Sequence, residues 1–199
     1  MDSFEREALS NGYRFVAGLD EAGRGPLAGP VVAAAVIFTS LPQNTRINDS
    51  KKLTPKKREA LVFEIYRKAC SVAVGVVWPA EIDLINIHRA SLKAMERAVS
   101  ALSVVPDFLL VDGSFPTGLA TPQRPIISGD SLSISIAAAS IIAKTARDNI
   151  MAAYHELYPG YNFLSHKGYP TKEHLGALQC LGPTPIHRMT FRGVVSKKP

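Results

Sequence analysis

The stretch Gly18-Leu19-Asp20-Glu21-Ala22-Gly23-Arg24-Gly25-Pro26 decides how this chain is read. Two adjacent carboxylates follow an apolar run, and a glycine, an arginine and a second glycine come directly after them. Tyr13 to Leu19 is mostly apolar and Val31 to Phe38 apolar throughout, so both are expected to be strands, with the acidic pair at their junction. Carboxylates held at a core edge need a partner, because desolvating a charge costs several kcal/mol or more. A divalent cation suits two neighbouring carboxylates. The plainer alternative, an acidic turn beside a flexible glycine loop, fits poorly between two strongly apolar strands. Successive residues of a strand face opposite sides, so the strand is expected to end or twist at Glu21 if Asp20 and Glu21 are to serve one centre.

On the C-terminal side of that cluster lie a turn-rich loop, Ser40-Leu41-Pro42-Gln43-Asn44, and the segment Asn48-Asp49-Ser50-Lys51-Lys52-Leu53. Thr54 can cap a helix and Pro55 suits its first position; the helix is expected to run to about Ala69, with Leu61 and Ile65 inward. Valine-rich Ser71 to Trp78 reads as a third strand. A helical stretch follows from about Glu81 to Leu102, split near Asn86, with Leu92, Met95, Val99 and Leu102 at helical spacing. Asp107 to Val111 gives a fourth strand ending in Asp112-Gly113, and Arg124 to Ser128 a fifth ending in Gly129-Asp130. Ser133 to Leu157 reads as one long helix, and Thr171 caps a short one to about Leu181. The expected fold is α/β, a five-stranded mixed sheet flanked by helices with a small helical C-terminal appendage. Residues 1–157 would form the main domain, with 158–199 packed on it as one compact unit.

At 199 residues and 46% hydrophobic, the chain can bury one substantial core. No apolar run approaches the roughly 20 residues needed to span a bilayer, and Met1 to Glu7 is charged rather than signal-like. Cys70 and Cys180 form no ligand-spaced motif and read as reduced thiols, so a cytoplasmic protein is expected. The net charge of +6 is compatible with a polyanionic partner, and Lys51, Lys52, Lys56, Lys57 and Arg58 form its densest cluster. Such a run is more often a solvated helix face. His88, His155, His166, His174 and His187 show no ligand spacing and read as surface or loop residues, and Asp148 as a helix-packing or salt-bridge residue.

Three strands end in acid: Asp20 with Glu21, Asp112, and Asp130. If those strands are neighbours, four carboxylates converge at one edge of the sheet. Two like charges about 4 Å apart repel by roughly 4 kcal/mol at an effective dielectric of 20, so cations must offset the cluster. All-oxygen ligands indicate Mg²⁺ or Mn²⁺, and two such ions can activate water and stabilise the leaving oxygen of a phosphodiester. A dinucleotide-binding reading of Gly23, Gly25 and Gly29, with Asp49 beyond, fails because the spacing is one residue too long. A strand, not a helix, follows those glycines.

Four segments resemble the type 2 ribonuclease H family in its bacterial ribonuclease HII branch: Gly18 to Pro26, Asn48 to Leu53, Gly129-Asp130 leading into Ile136 to Lys144, and His166-Lys167-Gly168-Tyr169-Pro170-Thr171. They are collinear with the family and span nearly the whole chain. The resemblance implies a ribonuclease H-like sheet and a metal-dependent endonuclease, and a monomer is expected. Its substrates would be RNA/DNA hybrids and duplex DNA containing single ribonucleotides. It would cut 5′ to the ribonucleotide, leaving 3′-hydroxyl and 5′-phosphate ends. By position, Asp20, Glu21, Asp112 and Asp130 match the family's metal-binding acids, Gly23, Arg24 and Gly25 its backbone-gripping loop, and Tyr169 its ribose-contacting tyrosine. Lys51 and Lys52 would contact phosphates, which position a duplex without reading sequence. Ser128 and Leu132 depart from the family, where lysine and a polar residue are common, which bears on substrate affinity more than on chemistry. A non-catalytic hybrid-binding module is the alternative, and the complete set of four acids argues against it.

Overall fold

The computed structural model describes residues 1–42, 47 and 55–194, with side chains from Arg58 onward in the second long stretch. Lys51 and Lys52 therefore lie outside the described residues. The elements are α1 (Ser3–Ser10), β1 (Val16–Ala22), β2 (Val31–Phe38), α2 (Pro55–Lys68), β3 (Ala69–Val77), α3 (Pro79–Ile85), α4 (Ile87–Ser100), β4 (Phe108–Asp112), β5 (Gln123–Ile126), α5 (Ile134–Leu157), α6 (Phe163–His166) and α7 (Lys172–Leu181). Short 3₁₀ turns occupy Gly129–Ser131 and Pro159–Tyr161. The expected mixed sheet is present, with strand order β3-β2-β1-β4-β5. The β1–β2 and β2–β3 pairs are antiparallel, and the β1–β4 and β4–β5 pairs parallel.

Two helical layers cover the sheet. Ala17, Leu19, Ala33, Ala35, Leu109 and Val111 pack toward α3 and α4, while Ala34, Val36 and Phe38 pack toward α2 and α5. An apolar β2 follows from this, since every one of its side chains is buried on one face or the other. Leu61 and Ile65 of α2 are buried as expected. The α4 stripe differs: Ala90, Ala94, Met95 and Ala98 are fully buried, and Leu92, Val99 and Leu102 only flank them. Small residues win the contact because α4 lies close to the sheet at Gly75, where a Cβ would stand 2.1 Å from the Ala94 carbonyl oxygen. On the opposite face Gly18 serves α5 in the same way, since a Cβ there would meet the Ser135 carbonyl carbon at 2.1 Å.

The strand does not break at Glu21. Asp20, Glu21 and Ala22 continue the β1–β2 register against Ala34, Ala33 and Val32. The expectation of an interruption is therefore overturned: β2 offers backbone partners to the end, and ladder hydrogen bonds are worth keeping at a buried edge. Beyond the sheet, Leu27, Ala28, Met151, Tyr161, Phe163, Leu178, Ile186 and Val194 form a separate cluster that joins the β1–β2 connection, the C-terminal half of α5 and the residues after it. Hydrogen bonds from Leu27 N to Gly168 O, Gly29 N to Ile186 O and Arg188 N to Leu27 O fasten these segments.

Candidate active site

β1 and β4 are parallel neighbours, so Asp20-Glu21 and Asp112 emerge at the same end of the sheet. The Gly129 amide donates to the Asp112 carboxylate at 2.7 Å, which brings the turn carrying Asp130 against the end of β4. Asp20 and Asp130 are buried, at 6% and 4% exposure. Asp20 accepts from the Glu21 amide at 2.7 Å and from the Ser140 hydroxyl of α5. Burial first, then the charges of Glu21 and Asp112, push the Asp20 carboxyl well above its usual range, against those two hydrogen bonds. Burial likewise raises Glu21, opposed by Arg24, whose guanidinium donates to Glu21 Oε1 at 3.0 Å; the Asp112 charge adds to the rise. Starting from the face opposite Asp20, the longer glutamate side chain carries its carboxylate at the sheet rim to Arg24 and within electrostatic range of Asp112. Its second oxygen, Oε2, is buried with no hydrogen-bond partner.

Among the described residues, no three Asp, Glu, His or Cys side chains are grouped closely enough to hold a metal ion. Asp20, Glu21 and Asp112 nevertheless feel one another's charge.

A cavity of about 410 Å³ opens beside Glu21, bounded also by Gly23, Arg24, Gly25, Lys144 and Tyr169 among others. Gly23, Arg24, Gly25 and Tyr169, nearly 150 residues apart in the chain, are thus brought together on its wall. Arg58 from α2 also lines it and pairs with Asp148 at 3.0 Å, while Lys144 reaches the other oxygen of Asp148 at 2.8 Å. Asp148 thus has the salt-bridge role, between α2 and α5.

Two residues that sequence reasoning missed build this wall from behind. Arg147, 1% exposed, donates to the carbonyls of Pro30 (3.0 Å), Ala28 (3.1 Å) and Lys167 (3.0 Å). Arg188, fully buried, donates to Gly29 (3.0 Å), Arg24 (2.9 Å) and Gly23 (2.6 Å). Desolvation lowers both guanidinium pKa values, that of Arg188 to about 9. Gly23 has φ +98, and a Cβ there would meet Arg147 Nε at 2.1 Å, so only glycine fits beneath the loop. An arginine at a buried position of a long alanine-rich helix was the available signal for Arg147; nothing local marked Arg188.

The histidine reading is also corrected. His166, His174 and His187 are buried at 7%, 0% and 2% exposure, because hydrogen bonds between the rings and to backbone groups replace water.

A family model described as Ribonuclease HII matches residues 17–194. The ribonuclease HII of Syntrophus aciditrophicus (strain SB) is 56% identical over 199 residues, covering 100% of this chain and 93% of that protein. That of Geobacter sulfurreducens is 57% identical over 194 residues, covering 96% and 88%. Among solved structures, the ribonuclease H2 from Pyrococcus horikoshii OT3 superposes with a TM-score of 0.76 at 27% identity, over 90% of this chain and 95% of that one. Sharing that sheet, and matching its bacterial relatives from end to end, the chain belongs to the ribonuclease HII family and is a ribonuclease H enzyme.

Proposed function

We propose that the chain is a divalent-metal-dependent endonuclease that hydrolyses the phosphodiester 5′ to a ribonucleotide. Its substrates are RNA/DNA hybrids and duplex DNA carrying single ribonucleotides, and its products end in 3′-hydroxyl and 5′-phosphate. Removal of misincorporated ribonucleotides from DNA is the role that follows, with the chain acting as a monomer. The observation that carries this reading is that Glu21, which feels the charge of Asp112 and raises the pKa of its neighbour Asp20, lines one cavity together with the Gly23-Arg24-Gly25 loop and Tyr169.

The donor set fits Mg²⁺ or Mn²⁺: all oxygen, largely desolvated, with Glu21 Oε2 left without a partner. Asp20, Glu21, Asp112 and Asp130 would hold the ion or ions. Bound there, the metal supplies Lewis acidity toward water and the scissile phosphate and offsets the repulsion among the acids. The protein's own contribution is placement. Ser140 and the Glu21 amide aim Asp20, and Gly129 aims Asp112. The 2′-hydroxyl is the group that separates RNA from DNA, and as both donor and acceptor it suits the backbone of Gly23 to Gly25 together with the Tyr169 hydroxyl. Lys51, Lys52, Arg58 and Lys144 supply positive charge for phosphates.

The deciding assay uses a duplex with one ribonucleotide. With Mg²⁺, cleavage on its 5′ side is expected, and Asp20→Asn should abolish it. Cutting restricted to long RNA runs would remove the single-ribonucleotide part of the proposal, and cutting without any divalent ion would remove the metal.

A further inference from the structure

His166, His174 and His187 lie side by side behind the wall that bears Tyr169. The His166 and His174 rings are 4.5 Å apart and nearly parallel. The Thr184 amide donates to His187 Nδ1 at 2.9 Å, so that nitrogen carries no proton. His187 Nε2–H must then donate to His174 Nε2, 3.0 Å away. His174 is left with its proton on Nδ1, which donates to the Tyr169 carbonyl at 2.9 Å. His166 closes the other side, accepting from the Gly168 amide at 3.2 Å and donating to the Tyr161 carbonyl at 2.7 Å. The Thr184 hydroxyl also reaches His187 Nδ1 at 2.9 Å, where it can only donate, so every ring nitrogen has one permitted protonation and the three tautomers are determined together.

The same C-terminal segment reaches the other half of the wall. His187 forms a β-bridge with Ala28, and the next residue, Arg188, donates to the carbonyls of Gly23, Arg24 and Gly29. Adjacent residues thus hold both recognition segments, His187 through His174 and Arg188 directly.

We infer that His174, oriented by His187, is a positioning residue for substrate recognition: its Nδ1–H fixes the backbone of Tyr169, and with Arg188 it sets the spacing between Tyr169 and the Gly23-Arg24-Gly25 loop. This rests on the proposed role of Tyr169 at the ribose. Neither histidine lines the cavity, so their effect is on fit, not chemistry. A misplacement of about 1 Å can cost on the order of a hundredfold in rate or affinity, and losing one of several anchors should cost less.

The test compares His174→Leu, which removes the donor, with His174→Asn, whose side-chain amide reproduces the Nδ1–H. Steady-state kinetics use a single-ribonucleotide duplex with Mg²⁺, on protein shown to be folded by circular dichroism. His174→Leu should raise KM about tenfold with kcat changed less than about threefold, and His174→Asn should restore KM to within about threefold of wild type. A folded His174→Leu with wild-type KM, or a His174→Asn as impaired as His174→Leu, overturns the inference. Tyr169→Ala is run beside them: if it keeps wild-type KM, the role of Tyr169 fails and the positioning claim with it. If only Tyr169→Ala is impaired, the histidine claim alone fails. Independently of folding in the variants, imidazole ¹⁵N shifts of the wild type at neutral pH should show Nδ1–H on His174 and Nε2–H on His166 and His187; any other pattern overturns the relay.

Discussion

Burial of Asp20 carries a cost. Its carboxyl is buried beside Glu21 and Asp112, and all three effects favour the neutral form. Asp20→Asn should therefore remove cleavage while raising the thermal midpoint of the metal-free protein. A lowered midpoint would mean that its hydrogen bonds to Ser140 and Glu21 outweigh the burial penalty. His187 acts in the opposite sense with pH. Burial, and the neighbouring His174, lower it from 6.5 to about 4, so between those values the unfolded chain binds more protons than the folded one. Stability contributed by neutral His187 is thus complete above about 6.5 and lost as pH falls toward about 4, at most about 3 kcal/mol. Asp20, raised by burial, is relieved by the same acidification and partly offsets it. Urea midpoints across this range should fall more steeply for wild type than for His187→Gln; parallel curves would exclude His187 as the source.

At the scale of elements, close contact between α5 and β1 decides the geometry of the site, because Ser140 on the helix meets Asp20 on the strand. Gly18 is where that contact is tightest. Gly18→Ala must push α5 backbone away and should cost about 1–3 kcal/mol or more, read as a lower denaturant midpoint, with cleavage falling as Asp20 and Ser140 separate. An unchanged midpoint would show that α5 can shift freely. Most elements were legible before the structure. The expected Val31 to Phe38 strand agrees with the observed one at both ends, and the helix after Ser133 begins at its cap, Ser133 accepting from the Ile136 amide. Periodicity and capping are local, so they are written in short stretches. Glu21 was misread because ladder pairing with β2 is a nonlocal constraint, and it outweighed the local hint of the glycines that follow.

For the whole molecule, the excess of positive charge gathers around the cavity in part, through Arg58, Lys144 and the buried Arg147. Among the described residues no helix is long and apolar enough to cross a membrane. If phosphate contacts hold the substrate, binding of a hybrid duplex should weaken steeply with salt, each contact adding about 0.7–0.9 to the slope of log affinity on log salt. A flat response would take the cavity's cations out of the interface. Lys144→Ala should lower that slope by about one contact while also freeing Asp148 to pair with Arg58 alone. By itself the sequence determined the order of the five strands and the long helices and the family resemblance, since each depends on residues close together in the chain or on motifs in a set order. Of the acids expected at strand ends, Asp112 ends β4, whereas Asp20 and Glu21 lie within β1 and Asp130 in the turn four residues beyond β5. Only the tertiary structure decided that Arg147, Arg188 and three histidines are interior residues hydrogen-bonded to the segments around the cavity. Their partners lie far away in sequence, up to 165 residues for Arg188 and Gly23, and a buried cation or imidazole is tolerable only where folding brings such carbonyls to it.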